Sequence, residues 1–399
     1  MNALFDPANR RRLTITPGRE RSIANRHPWL FAGAIARENG PEDAAIADLL
    51  DTRGVVLASG LYSRRSQIRF RALTFGDVPL TADLVRSRIE AAIERRRGLL
   101  DADNDSVRLV HAEGDDLSGL VVDRYGDLAV VEIANAGLEQ LKPLVIDTLR
   151  AAVAPRTIFF KNDLPARRLE FLPLESEWLG DAEQDATIVE SGLRFRVEPS
   201  GGQKTGFFLD QRENRRLARS LASGARVLNL FSYSGAFGVY AAAGGAIAVE
   251  NVDVSAKAID LARANHELNA PGGSSATFVV ADAFEYVRER AAAAAQFDLV
   301  VCDPPAFAKS RADIDRAARG YKDINLHALR LVAPGGRLLT FSCSGQMSLD
   351  LFQKVIFSAA HDAGRSVAFV RRLTAAPDHP TSLYCPEGEY LKGFLLEVR

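Results

Sequence analysis

A chain of 399 residues is longer than one ordinary core organises and predicts two or three domains. Its 47% hydrophobic and 25% charged residues exclude disordered, fibrous and membrane-embedded classes, and the formal net charge is −1. No apolar run reaches the length of a membrane span or of a signal peptide, so a cytoplasmic protein is expected; the three cysteines lack C-x-x-C spacing and the six histidines form no i, i+4 pair, so neither a disulfide framework nor a metal site is expected.

Residues 1–75 alternate short apolar runs (AAIADLLD, GVVLASGLY, IRFRALTF) with turn residues, which predicts a small β-rich unit. Twelve Arg and no Lys against seven Asp and Glu leave this segment five positive charges in excess, while the remaining chain carries six negative charges in excess. A basic module on an acidic body suits docking onto a polyanion. The stretch GRERSIANRHPWLFAGAI resembles a PUA domain, a small β-barrel that binds structured RNA. Arg19, Arg21, Arg26, Trp29 and Arg64 are the candidate RNA contacts; the plainer alternative is a solvated Arg-rich face around a core Trp.

Residues 76–190 read as a central α+β domain. A Thr-capped helix over 81–100 places Arg86, Arg88, Arg95, Arg96 and Arg97 on a wet face, followed by strands, a helix near 138–153 and the strand RTIFFKND.

The character changes over 191–399, where apolar strands (RVLNLFSYSG, AIAVENVDVS, TFVVADAF, FDLVVCDPP, GRLLTFSCSG) alternate with helices. That is the signature of a doubly wound parallel sheet, and a closing pair of strands points to the Rossmann-like sheet of class I methyltransferases. The expected fold class is therefore α/β, with this sheet preceded by the β-barrel and the central α+β domain.

The loop FSYSGAFG after the first of these strands holds Gly235 and Gly238 but no G-x-G-x-x-G cradle, which argues against a dinucleotide and for a ligand without phosphates, S-adenosylmethionine. Asp253 ends the second strand, placed for ribose hydroxyls, and Asp282-Ala283-Phe284 ends the third, placed for an adenine amino group and ring. Each acid alone could be a helix cap, but three successive strand ends with suitable residue types favour cofactor binding. Upstream, PSGGQKTGFFLDQR offers Lys204, Thr205 and Phe207 over an adenosine, and Asp210 and Arg212 for a methionine tail. Asn229, Phe231, Ser232, Tyr233, Ser255 and Asp303 complete the expected cofactor set.

GQKTGFFLDQR, LNLFSYSGAFG, DPPAF, RGYKDIN, FSCSGQMS and HPTSLYCPEGEYLKG together resemble the bacterial ribosomal large-subunit RNA methyltransferase I family, over essentially the whole chain. The resemblance implies 5-methylcytosine formation in 23S rRNA, with Cys343 as nucleophile and Asp303 as acid. The chemistry calls for these residue types, because carbon 5 of cytosine attacks a sulfonium methyl only after a thiolate has added to carbon 6 and an acid has met N3. Strand alternation turns Cys302 away from a cleft that Asp303 faces, so Cys302 reads as core. Related cytosine methyltransferases carry a second cysteine after Pro-Pro; here Ala306 occupies that place, and the base that removes the carbon 5 proton stays unassigned. Cys385 reads as incidental. Methylation of another RNA base, methylation of a small molecule and a non-catalytic RNA-binding factor are the rival readings, and the sequence leaves a homodimer open.

Overall fold

A computed structural model of the chain describes residues 2–180, 185–202, 205–269, 274–308 and 310–399, Asn2 by its backbone alone. The chain divides into two compact units. One comprises residues 1–188, 197–208 and 378–388, the other residues 189–196, 209–377 and 389–399.

The first unit contains two sheets. The six strands of one lie in the order Trp29–Phe31, Ile68–Phe75, Val56–Tyr62, Ile46–Leu50, Arg11–Ile15, Ile35–Asn39, around a core of Leu13, Ile15, Leu30, Leu49 and Phe70. Five strands form the other, in the order Glu177–Gly180, Thr157–Phe160, Leu128–Ile133, Leu120–Tyr125, Ser106–His111. Val107, Leu109, Val122 and Val131 project from one face of that sheet onto Ile89 and Ile93 of the helix Ala82–Arg96 and Leu144 of the helix Lys142–Val153. The helix expected over 138–153 is interrupted: Ala136–Glu139 ends and a new helix starts at Lys142, where Pro143 occupies the first turn and needs no partner for a missing N–H.

Arg96, expected on a wet face, is 2% exposed. Its guanidinium donates to both oxygens of Asp115 at 2.7 Å and to the Asp378 carbonyl at 3.1 Å. Several arginines in one helix do not reveal from spacing which one turns inward; an acid brought up by another element decides it.

The second unit is built on a seven-stranded sheet. Its strands are β1 (Arg226–Leu230), β2 (Ala248–Asp253), β3 (Ser275–Val280), β4 (Phe297–Cys302), β5 (Val332–Ser342), β6 (Val367–Leu373) and β7 (Lys392–Val398). They lie in the order β3-β2-β1-β4-β5-β7-β6, parallel except for β7, which is antiparallel to β5 and β6. Apolar residues leave both faces, as burial on two sides requires. Leu228, Val300, Cys302 and Leu338 pack towards Ile324 and Phe352, whereas Val227, Leu299, Val301 and Phe341 pack with Ala218, Phe237 and Ala241. Cys302 is fully buried, as the alternation along β4 demands.

Candidate active site

The reversal of strand order beside β1 opens a crevice at the carboxyl ends of the strands, where open α/β sheets hold ligands. After β1 the chain turns through Phe231, Tyr233 and Gly235, all with positive φ (56°, 44° and 71°). Two non-glycine residues in the left-handed region within one loop mark a strained segment held by its surroundings. The Ser232 N–H donates to the Val252 carbonyl and the Tyr233 N–H to Asp253 Oδ2, both at 2.9 Å. Gly235 begins the helix Ala236–Ala243 so close to its neighbour that a Cβ would lie 2.7 Å from that of Ala262.

Asp253 is half-buried, and its Oδ1 accepts the Ser255 N–H at 2.9 Å. Each carboxylate oxygen keeps a second lone pair for a ligand hydroxyl. Asp282 is exposed and caps the helix Ala283–Ala292, accepting the N–H groups of Phe284 and Glu285. The Phe284 ring, beside that cap, stands 6.2 Å from Phe231 and 5.8 Å from Phe307. Ser232 Oγ is buried and has no partner among the described residues. An orphaned hydroxyl beside an acid and an aromatic edge fits a ligand with both polar and ring parts, as S-adenosylmethionine has.

Other expected cofactor contacts take different places. Asn229 is 1% exposed and its amide donates to Asn251 Oδ1 at 2.9 Å, inside the sheet. Arg212 is 2% exposed, with its Nε 3.4 Å from Glu190, so its charge is answered within the protein. Thr205 and Phe207 belong to the first unit and are buried there; the Thr205 hydroxyl donates to Asp123 at 2.5 Å and lies 2.9 Å from the Tyr125 hydroxyl. Lys204 lies outside the described residues. Asp210 accepts the Tyr390 hydroxyl at 2.5 Å.

The reacting pair stands at the next two strand ends. Asp303 follows β4 and is half-buried, and Cys343 follows β5. The Cys343 thiol donates to the Pro304 carbonyl at 3.6 Å. Ser344 adds a second tie between the two loops, its Oγ accepting the Ala308 N–H at 3.2 Å and lying 3.0 Å from the Tyr321 hydroxyl. Burial pushes the Tyr321 phenol up to about 12, so it is neutral near pH 7. Cys302 and Cys385 are buried and both thiols are pushed up by desolvation, which leaves them inert.

Two further residues belong to this site. Gln211 is 2% exposed; its amide donates to Asp303 Oδ2 at 3.0 Å while its own carbonyl accepts from Asn214 at 2.6 Å. Lys392, the first residue of β7, donates from Nζ to the Ser344 carbonyl at 3.1 Å. A sequence signal existed for Lys392, a lone cation opening the largely apolar strand KGFLLEV. None existed for Gln211, whose partner lies 92 positions away.

In the first unit, His27, Cys385 and Glu387 bring ligand-type atoms within 4.8 Å of one another. His27 Nδ1 accepts the Trp29 N–H at 3.1 Å, so Nε2 keeps its proton and donates to Glu387 at 3.2 Å. A metal on Nε2 would have to displace that proton.

Sheet order, strand-end acids and strained glycine loop define a S-adenosylmethionine-dependent methyltransferase, and the family model of that description matches residues 165–390. A second model, for PUA-like domains, matches residues 13–75. The chain belongs to the ribosomal RNA large subunit methyltransferase I family. It is 42% identical over 391 residues to the member from Aeromonas hydrophila, covering 96% of this chain and 98% of that one. With the member from Klebsiella pneumoniae the identity is 41% over 392 residues, covering 97% and 98%. A Streptococcus mutans structure described as a SAM-dependent methyltransferase superposes with a TM-score of 0.82 at 22% identity, covering 97% of this chain and 100% of that one. Another, described as a methyltransferase complexed with SAH, gives 0.84, also at 22% identity and with the same coverage. The methyl donor is S-adenosylmethionine.

Proposed function

We propose that the protein methylates carbon 5 of a cytosine in large-subunit ribosomal RNA through a covalent adduct with Cys343. The observation that carries this reading is the Cys343 thiol at the Pro304 carbonyl, one residue from Asp303. The relatives named as ribosomal RNA large subunit methyltransferases support the substrate class. Work on ribosomal RNA would place the protein in the cytoplasm.

The sulfur of Cys343, as thiolate, bonds to carbon 6 of the base. The electron pair of the carbon 5–carbon 6 double bond moves to carbon 5, and Asp303 supplies a proton or hydrogen bond at N3 that stabilises the adduct. Gln211 donates to Oδ2, so a proton carried by the Asp303 carboxyl belongs on Oδ1. S-adenosylmethionine, when bound, supplies the electrophilic methyl group. A base then takes the carbon 5 proton, the carbon–hydrogen pair restores the carbon 5–carbon 6 double bond, and the carbon 6–sulfur pair returns to sulfur. Asp253, Ser232 and Phe284 are the groups proposed to hold the cofactor. Lys204, Phe231, Tyr233, Ser255, Asp282 and Ala283 remain proposed neighbours of it.

RNA is proposed to dock on the first unit through Arg19, Arg21 and Arg26, all exposed, with Trp29 and Arg64. Arg26 lies over the rings of Phe75 and Tyr384 at 5.3 and 5.5 Å, while the Trp29 indole donates to Glu113 at 2.9 Å and Arg64 pairs with Glu42 at 2.6 Å.

RNA carrying 5-fluorocytosine at the target tests the mechanism, because fluorine is not abstracted as a proton is and the adduct persists. Wild-type protein and Cys302→Ala should both be trapped, and Cys343→Ala should neither trap nor methylate while still binding the cofactor. Methylation by Cys343→Ala would end this reading.

A further inference from the structure

Lys392 is 4% exposed, yet its ammonium forms no ion pair among the described residues. Its hydrogen-bond partners among the described residues are the carbonyls of Ser344 and Glu389, at 3.1 and 3.2 Å. Two carbonyl dipoles take two of its three hydrogens but do not cancel its charge, and a buried charge without a counter-ion is costly to keep. Position suggests what the counter-ion is. Lys392 pairs with Ser342 across β5 and β7, and its Nζ reaches the carbonyl of Ser344. The lysine therefore brackets Cys343, the residue between them.

We propose that Lys392 is a positioning residue for the nucleophile, its ammonium serving as the electrostatic partner of the Cys343 thiolate. This rests on the reading of Cys343 as the nucleophile. At rest the S–H bond points to the Pro304 carbonyl, which can only accept a proton and repels a thiolate. On ionisation the proton passes to solvent, and the sulfur gains the ammonium as its neighbour. When the adduct breaks down, the electron pair of the sulfur–carbon bond returns to a sulfur already beside a positive charge.

The electrostatics of Lys392 agree with this geometry. Burial lowers the affinity of the amine for its proton, while Glu389 and Cys343 both favour the charged form. Among the described residues, Tyr321 is neutral near pH 7, and the carboxyl groups of Asp303 and Glu389 have no positive charge to offer a thiolate.

The test reads the thiol directly. Full-length protein is alkylated with iodoacetamide over a range of pH, and modification at Cys343 is counted by peptide mass spectrometry. Lys392→Gln, which keeps a donor but removes the charge, should move the alkylation midpoint up by about one pH unit or more and slow the reaction near neutrality about tenfold. Lys392→Arg should restore the lower midpoint, and cofactor affinity should be unchanged in both. A folded Lys392→Gln protein with the wild-type profile would overturn the proposal. Should Lys392→Gln not fold, the unaltered protein decides: a Cys343 midpoint no lower than that of a free cysteine peptide also overturns it. The two readings separate cleanly. Trapping by 5-fluorocytosine with no change in the alkylation profile removes the pair and keeps the nucleophile, whereas a shifted profile without trapping in wild type keeps the pair and removes the covalent mechanism.

Discussion

Replacing Gln211 by Met should impair catalysis without touching the cofactor. The amide of Gln211 donates to Asp303 Oδ2 at 3.0 Å, a hydrogen bond to a carboxyl group, and such bonds contribute about 1.5–3 kcal/mol. Asn214, which donates to Gln211, also donates to the Thr374 carbonyl at 3.1 Å, so it keeps a partner and the fold loses little. Met nearly conserves volume at a position that is 2% exposed, which avoids a cavity. If the orientation of Asp303 matters mainly once the thiolate has added to the ring, the loss falls on the chemical step, by about 10- to 150-fold. Asn214→Ala acts one bond further out and should cost about two- to tenfold by the same arithmetic, at roughly 0.5–1.4 kcal/mol. Single-turnover transfer of labelled methyl groups into unmodified large-subunit RNA measures the step, and calorimetry measures cofactor affinity alongside. A wild-type single-turnover rate in Gln211→Met, or a defect confined to cofactor binding, would refute the reasoning.

Asp253→Ala should weaken S-adenosylmethionine binding by roughly 1–3 kcal/mol, the cost of leaving ligand hydroxyls unpaired, and unchanged affinity in calorimetry would remove Asp253 from the site. Burial raises the Glu132 carboxyl from its ordinary 4.5 to about 7, and its Oε1 has no partner among the described residues. Because the folded state resists ionisation, the penalty is absent below pH 4.5, grows towards pH 7 and stays constant above. Glu132→Gln should therefore stabilise the protein by about 2–4 kcal/mol at pH 8 and not at pH 4, as urea titrations at the two pH values would show. Glu190 accepts from Arg215 at 2.8 Å and from the Tyr240 hydroxyl at 2.8 Å, all three buried, so Glu190→Ala should destabilise by about 3–5 kcal/mol in denaturant unfolding. RNA affinity should fall steeply with salt, and less steeply in a variant with Arg19, Arg21 and Arg26 all changed to Ala; an unchanged slope would assign those arginines another role.

What the sequence made legible was whatever depends on neighbours along the chain. The apolar runs of β1, β4 and β5 are buried on both faces and read as strands without help from context. Asp303 and Cys343 stood out because each ends such a run. Side chains whose partners come from elsewhere were read less well. Arg212 lies near Asp210 in sequence and was expected to share its role, but Glu190, on another element, holds its charge. Thr205 and Phe207 sit close to Asp210 in sequence, yet burial against Tyr125 assigns them to the other unit. Asn229 was an expected ligand because it lies in the strand that leads into the loop; a polar side chain paired across a sheet interior looks the same in sequence as one that faces a crevice.

The first unit draws its last segment, residues 378–388, from near the carboxyl terminus. Asp378 supplies an oxygen to the Arg108 N–H at 3.0 Å and a carbonyl to the buried Arg96. Both arginines leave the ribosome more than two hundred residues before Asp378 does. During synthesis the segment that holds Arg96 and Arg108 therefore waits, with two of its buried donors unanswered, until residue 378 has emerged. Truncation anywhere before residue 378 removes the closing piece of a unit that begins at the other end of the chain.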